Sequence, residues 1–168
     1  MININKLLNE VKAPKQLREH LAIVNEVSLK LIDRITSSWP EIKRHLDKEL
    51  ILDGAEVHDI GKAIHQEELY KPGERHEQAG YELLKKLGYD ESICKFAKLY
   101  DKGNRTNINY LIVMIADIIW KGSRNDEIET LLCNKISEIA HLKTYQVWLE
   151  LDCILERISK KGLERLLK

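Results

Sequence analysis

Four side chains in this sequence are good ligands for a divalent metal, and each stands where a ligand is costly without a partner. His20 lies three residues after Leu17 and four before Val24, beside the apolar stripe of a helical pattern. His58 and Asp59 are adjacent in the stretch EVHDIGK. Asp117 sits in LIVMIADIIW, with Val113, Met114, Ala116 and Trp120 on the surrounding helical sides. A buried carboxylate without a partner is strongly destabilising, so Asp117 needs a cation or strong donors. Lys121, one turn further on, is the ordinary solution; a divalent metal is the other. Taken singly, His20 reads as a core histidine and His58–Asp59 as a common dipeptide. The four together form a mixed nitrogen and oxygen set that suits Mn²⁺, Fe²⁺, Co²⁺, Ni²⁺, Zn²⁺ or, less well, Mg²⁺. On a six-coordinate ion such a set leaves room for a water and a substrate oxygen. That is the arrangement by which a metal lowers the pKa of a water and polarises a phosphoryl group.

The elements that must hold these groups are helical throughout. Leu17, Leu21, Val24, Val27, Leu31 and Ile35 recur at steps of three and four, which predicts a helix with Pro14 in its first turn and a break at Pro40. A second helix is predicted over 45–58, with Leu46, Leu50 and Ala55 inward and Gly61 loosening the chain as it leaves. Residues 60–75, with Gly61, Pro72 and Gly73, read as a loop. Further helices are predicted at 76–87, 91–101, 107–121, 126–140 and 145–158, with DKGNRTN (101–107) as a linker. The last helix carries Trp148, Leu151, Leu155 and Ile158 on one face. No segment reads as a strand, so the expectation is an all-α bundle of six to seven helices. We expect one domain over 1–168, with a motif-bearing core at about 14–122 and packing helices at about 123–168.

The order His20, then His58–Asp59, then Asp117 resembles the HD-domain superfamily of metal-dependent phosphohydrolases, whose pattern is H…HD…D on a helical fold. Thirty-eight residues separate His20 from His58, and fifty-eight separate Asp59 from Asp117. LREHLAIV is similar to the family's first helix, VHDIGK to its signature and IADIIWKG to the segment around its final Asp. The resemblance covers about Leu17 to Gly122. It implies that His20, His58, Asp59 and Asp117 bind one divalent metal ion, and that Lys62 lies near the substrate phosphate, where it would offset developing charge. His76, in GERHEQAGYELL, matches a place where many members carry another His that binds a second metal or acts on the leaving group. Its position at a helix start should lower its pKa.

The sequence departs from the two-metal branch of that family. Tyr100 and Asp101 stand where a further His is expected, and the glycine-tyrosine-proline motif of one class of cyclic-dinucleotide phosphodiesterases is absent. Asp101 could serve as a ligand, but a single metal is the simpler reading. Lys121 and Arg124 follow Asp117 by one and two turns and are candidates to bind substrate phosphate at the rim. His45, His65 and His141 match no motif position and read as surface residues.

Composition narrows the partners. Lysines plus arginines number 27, as do aspartates plus glutamates, so net charge gives no reason to expect stable nucleic-acid or membrane binding. Cys94, Cys133 and Cys153 are far apart, with no CxxC, and read as reduced core thiols of a cytoplasmic protein. Met1 to Lys12 shows no secretory signal, and the apolar run 110–120 is too short to span a bilayer. Trp148 and the last two helices offer a homodimer surface, although a core role for them is simpler. The expected function is hydrolysis of a small phosphate substrate, a nucleotide or related ester. Asp59 would orient the water, Lys62 would stabilise the phosphate and His76 would assist proton transfer. Two alternatives stand beside it: a phosphodiesterase acting on a cyclic or oligonucleotide substrate, and a metal-stabilised module that binds a nucleotide or a protein without turnover.

Overall fold

Three apolar surfaces meet at the centre of the molecule. A computed structural model describes all residues 1–168. The helices are α1 (Ile4–Glu10), α2 (Lys15–Ser38), α3 (Lys48–Val57), α4 (Arg75–Lys86), α5 (Glu91–Cys94), α6 (Ile108–Ile119), α7 (Asp126–Ala140) and α8 (Thr144–Leu166), with 3-10 turns between them and no strand. The hub is α6, whose residues from Tyr110 to Ala116 are all buried. A helix apolar on every side is stable only when covered on every side. Helices α2 and α3 pack on α6 and on each other, while α7 and α8 close its other flank. α2 turns the predicted stripe inward: Leu17, Leu21, Val24, Val27, Leu31 and Ile35 are all buried. No helix is long and apolar enough to cross a membrane.

Local chemistry sets the element ends. Asp47 caps α3, its side chain accepting the Leu50 N–H at 2.9 Å. The second helix therefore starts at Lys48 rather than at His45, which ends a separate turn over Pro40–His45. Leu46 and Leu50 are only half-buried, whereas Ala55 is fully buried. The predicted helix 91–101 is instead the single turn α5 followed by a 3-10 turn at Lys95–Lys98. Asn104 explains the break, because its buried amide donates to the carbonyls of Lys95, Lys98 and Leu99. Those carbonyls are thereby satisfied without a continuing helix. The region 60–75 also holds two 3-10 turns, Ile60–Ala63 and Gln66–Leu69. α1 was not anticipated, and α8 runs eight residues beyond the predicted Ile158. Cys94 and Cys133 are buried free thiols, but Cys153 is exposed, so it is not a core residue. It lies beside rather than on the inward stripe of α8.

Candidate metal centre

The packing of α2, α3 and α6 brings the four sequence-predicted ligands to one point. His20 comes from the second turn of α2 and Asp117 from the last turn of α6. His58 caps the C-terminus of α3, and Asp59 begins the 3-10 turn that follows. His20 Nε2 lies 3.2 Å from His58 Nε2, 3.2 Å from Asp59 Oδ2 and 3.4 Å from Asp117 Oδ1. His58 Nε2 lies 3.5 Å from Asp117 Oδ1 and 3.8 Å from Asp59 Oδ2. Ligands about 2.1 Å from a common ion stand roughly 3.0 to 3.4 Å apart at octahedral to tetrahedral angles. The donor spacing therefore fits a divalent cation, and the ligand atoms of His20, His58 and Asp59 all lie within 4.8 Å of one another. His58 Nδ1 donates to the Ala55 carbonyl at 2.9 Å, which fixes the tautomer and turns the Nε2 lone pair toward the other ligands.

Electrostatics agree with a site built for positive charge. Burial is the largest single influence on His20 and disfavours its charged form. Hydrogen bonds to Asp117 and Asp59 outweigh it and hold the ring at a pKa of about 9. Burial likewise opposes charge on Asp59 and Asp117, yet the facing histidines, with Lys62 added at Asp59, hold both carboxyls well below the usual range. The partners of Asp117 are His20, His58 and Tyr100, whose hydroxyl donates to Oδ2 at 2.7 Å; Lys121 is not among them.

The remaining sequence candidates separate into two groups. Lys62, His76 and Lys121 line the same cavity as the four ligands, a recess of about 450 Å³. Lys62 Nζ lies 2.6 Å from Asp59 Oδ2. His76 Nε2 lies 3.3 Å from Asp59 Oδ1. Burial lowers the basicity of His76, but Asp59 and Glu68 together raise its pKa above the usual value, contrary to the lowering expected at a helix start. Arg124 points elsewhere. Its guanidinium binds the buried Glu129 through Nε and Nη2 at 2.7 and 2.8 Å and Asp152 at 2.7 Å. Gly122, at φ +85°, ends α6 in the left-handed region and turns the chain away before Arg124 can reach the rim. Asp101 is exposed and holds no place among the ligands, while its neighbour Tyr100 does the work at Asp117. His45 and His141 are exposed, as expected, and His65 is half-buried.

Sequence reasoning passed over Glu68. It sits in the 3-10 turn before α4, and its carboxylate accepts the His76 Nδ1–H at 2.6 Å and the backbone N–H groups of His76 and Arg75 at 3.1 Å each. Burial opposes its charge, but these donors outweigh that and hold it below the ordinary carboxylate range. Nothing in the local sequence distinguishes it from the adjacent Glu67. Trp120, one of the apolar neighbours of Asp117 in sequence, stands with its ring edge-on to His20, centroids 5.4 Å apart, and lines the cavity.

Fold and site together define an all-helical protein in which His20, His58, Asp59 and Asp117 converge as candidate metal ligands in one pocket. A family profile for the HD domain matches residues 17–122, more than half of the chain, and spans all four ligands. The chain belongs to the HD-domain superfamily of metal-dependent phosphohydrolases. No curated protein and no solved structure matches it.

Proposed function

We propose that this protein hydrolyses a small phosphate ester, a nucleotide or a close relative, in a reaction that needs one divalent cation. The observation that carries the reading is a single cavity holding the four converging ligands at its floor and Lys62, His76 and Lys121 in its walls. His20, His58, Asp59 and Asp117 would hold the ion, which would acidify a water and polarise the phosphoryl group. When the His76 ring is neutral, Asp59 Oδ1 and His76 Nε2, 3.3 Å apart, form the acceptor pair that can orient the attacking water and take its proton. Lys62, held at Asp59, would meet a phosphate oxygen entering the recess, and Lys121 adds a second positive charge to its lining. Leu69, Leu99 and Trp120 supply apolar wall against which a base or sugar can lie and from which water is excluded. The hydroxyl of Tyr100 donates to Asp117 Oδ2 at 2.7 Å, which would leave Asp117 Oδ1 to hold the ion.

Phosphate release from a panel of nucleotides and phosphodiesters, with Mn²⁺, Co²⁺, Ni²⁺ and Mg²⁺, tests the proposal. Turnover that requires metal and disappears in Asp59→Ala is the expected result. A protein that binds one equivalent of metal and turns over none of the panel would instead be the non-catalytic module.

A further inference from the structure

We infer that Glu68 is a positioning residue that fixes the ring tautomer of His76, and so decides which nitrogen faces the reacting water. The inference rests on the hydrolase reading for its consequence, but its physical basis is independent of turnover. Glu68 is 8% exposed, and its carboxylate is enclosed by the start of α4 and by Gly73, where even a methyl group would come within 2.4 Å of Oε1. Oε1 accepts the Arg75 N–H; Oε2 accepts both the His76 N–H and His76 Nδ1–H. These are the first two backbone donors of α4, where an anion is also favoured by the helix dipole. Glu68 is thus anchored by the backbone before it meets the imidazole. Carboxylates only accept, and Glu68 Oε2 at 2.6 Å from Nδ1 is much closer than Asp59 Oδ1 at 3.3 Å from Nε2, so the single proton of the neutral ring sits on Nδ1 and the Nε2 lone pair is left on the cavity side. With the other tautomer, Nε2–H would donate to Asp59, and the acceptor pair facing the water would be lost.

The shared oxygen gives a sharp expectation for two substitutions. Because Oε2 also receives a backbone N–H, a glutamine at 68 must keep its amide oxygen there. Its NH₂ then falls on the side of Arg75, whose N–H lies at the exposed first turn. Glu68→Gln should therefore keep Nδ1–H. Glu68→Ala leaves Nδ1 without an acceptor, and the ring should move to Nε2–H.

The experiment uses the full chain loaded with zinc, which is diamagnetic. Long-range nitrogen–proton NMR reads the protonated ring nitrogen of His76 at a pH where the ring is neutral, and p-nitrophenyl phosphate gives kcat and KM. We expect Nδ1–H in the unsubstituted protein and in Glu68→Gln, with kcat within about threefold between them. In Glu68→Ala we expect Nε2–H and a fall in kcat of about 100-fold, the usual size of a lost proton acceptor, with KM little changed. Nδ1–H persisting in Glu68→Ala, or Nε2–H in Glu68→Gln, overturns the inference. If Glu68→Ala does not fold, the tautomer in the unsubstituted protein and in Glu68→Gln decides alone. If no form hydrolyses the ester, the hydrolase reading suffers, and the ring proton still tests the role of Glu68.

Discussion

Gly61→Ala should be among the most damaging single-methyl additions in the protein, and its cost can be worked from contacts. A Cβ on Gly61 would lie 1.8 Å from the carbonyl oxygen of His76, 2.7 Å from the His76 carbonyl carbon and 2.7 Å from the Gly80 nitrogen. A carbon and an oxygen need about 3.2 Å, so the turn and α4 must separate by about 1.4 Å. All three obstacles are backbone, and no rotamer change relieves them. Overpacking of this kind costs typically 1 to 3 kcal/mol, and rigid obstacles put Gly61→Ala at about 3 kcal/mol. Two other glycines calibrate the argument. At Gly80 the nearest contacts are 3.0 to 3.3 Å, which a few tenths of an ångström relieve, and alanine's helix preference of about 1 kcal/mol offsets the remainder. At Gly103 nothing lies within 4 Å, so alanine should be neutral or stabilising by up to about 1 kcal/mol. Urea unfolding of the metal-free proteins reads the series. With a slope of about 2 kcal/mol per molar, the Gly61→Ala midpoint should fall by roughly 1.5 M, while the other two barely move. Since Asp59 and Lys62 flank Gly61, metal affinity should fall as well. A Gly61→Ala midpoint indistinguishable from that of Gly80→Ala would refute the reasoning.

Four further outcomes follow from the structure. The His20 pKa of about 9 means that the metal-free protein carries a proton that a cation must displace, so affinity for Mn²⁺ or Co²⁺ should rise about tenfold per pH unit from 7 to 9 and then level off; calorimetric titration showing equal affinity at both ends of that range would exclude it. The same raised pKa stabilises the metal-free fold by on the order of 3 kcal/mol. That contribution is complete below pH 6.5 and disappears as pH rises through 9, which urea midpoints across the window check. Tyr100→Phe removes the hydroxyl from Asp117 Oδ2 and should weaken metal binding by about tenfold without unfolding the protein, measured by competition with a chromogenic chelator. Arg124→Ala strands Glu129, 1% exposed, as a buried unpaired carboxylate and should cost about 3 kcal/mol in thermal or urea unfolding. KM for a phosphate ester should not change, whereas a rise in KM at full stability would return Arg124 to the substrate.

Local spacing alone carried the helical class, the inward stripe of α2, the buried run of α6 and the four candidate ligands. Each of these is written in local spacing: a period near 3.6, or a carboxylate placed where only apolar neighbours occur. The sequence also held Lys62, His76 and Lys121, which the structure brings to the same cavity. Tertiary structure decided what depends on partners distant in the chain. Asn104 interrupts the expected helix at 91–101 by taking its carbonyls, and Glu129 with Asp152 draws Arg124 from the rim. Tyr100, seen in sequence as the lack of a histidine, becomes the donor that orients Asp117. Glu68 and Gly61 owe their importance to α4 lying against the turn after His58–Asp59, so that one meets the ring of His76 and the other its carbonyl. Periodicity reports which face of a helix is buried; it carries no information on which atom of another segment will be waiting there.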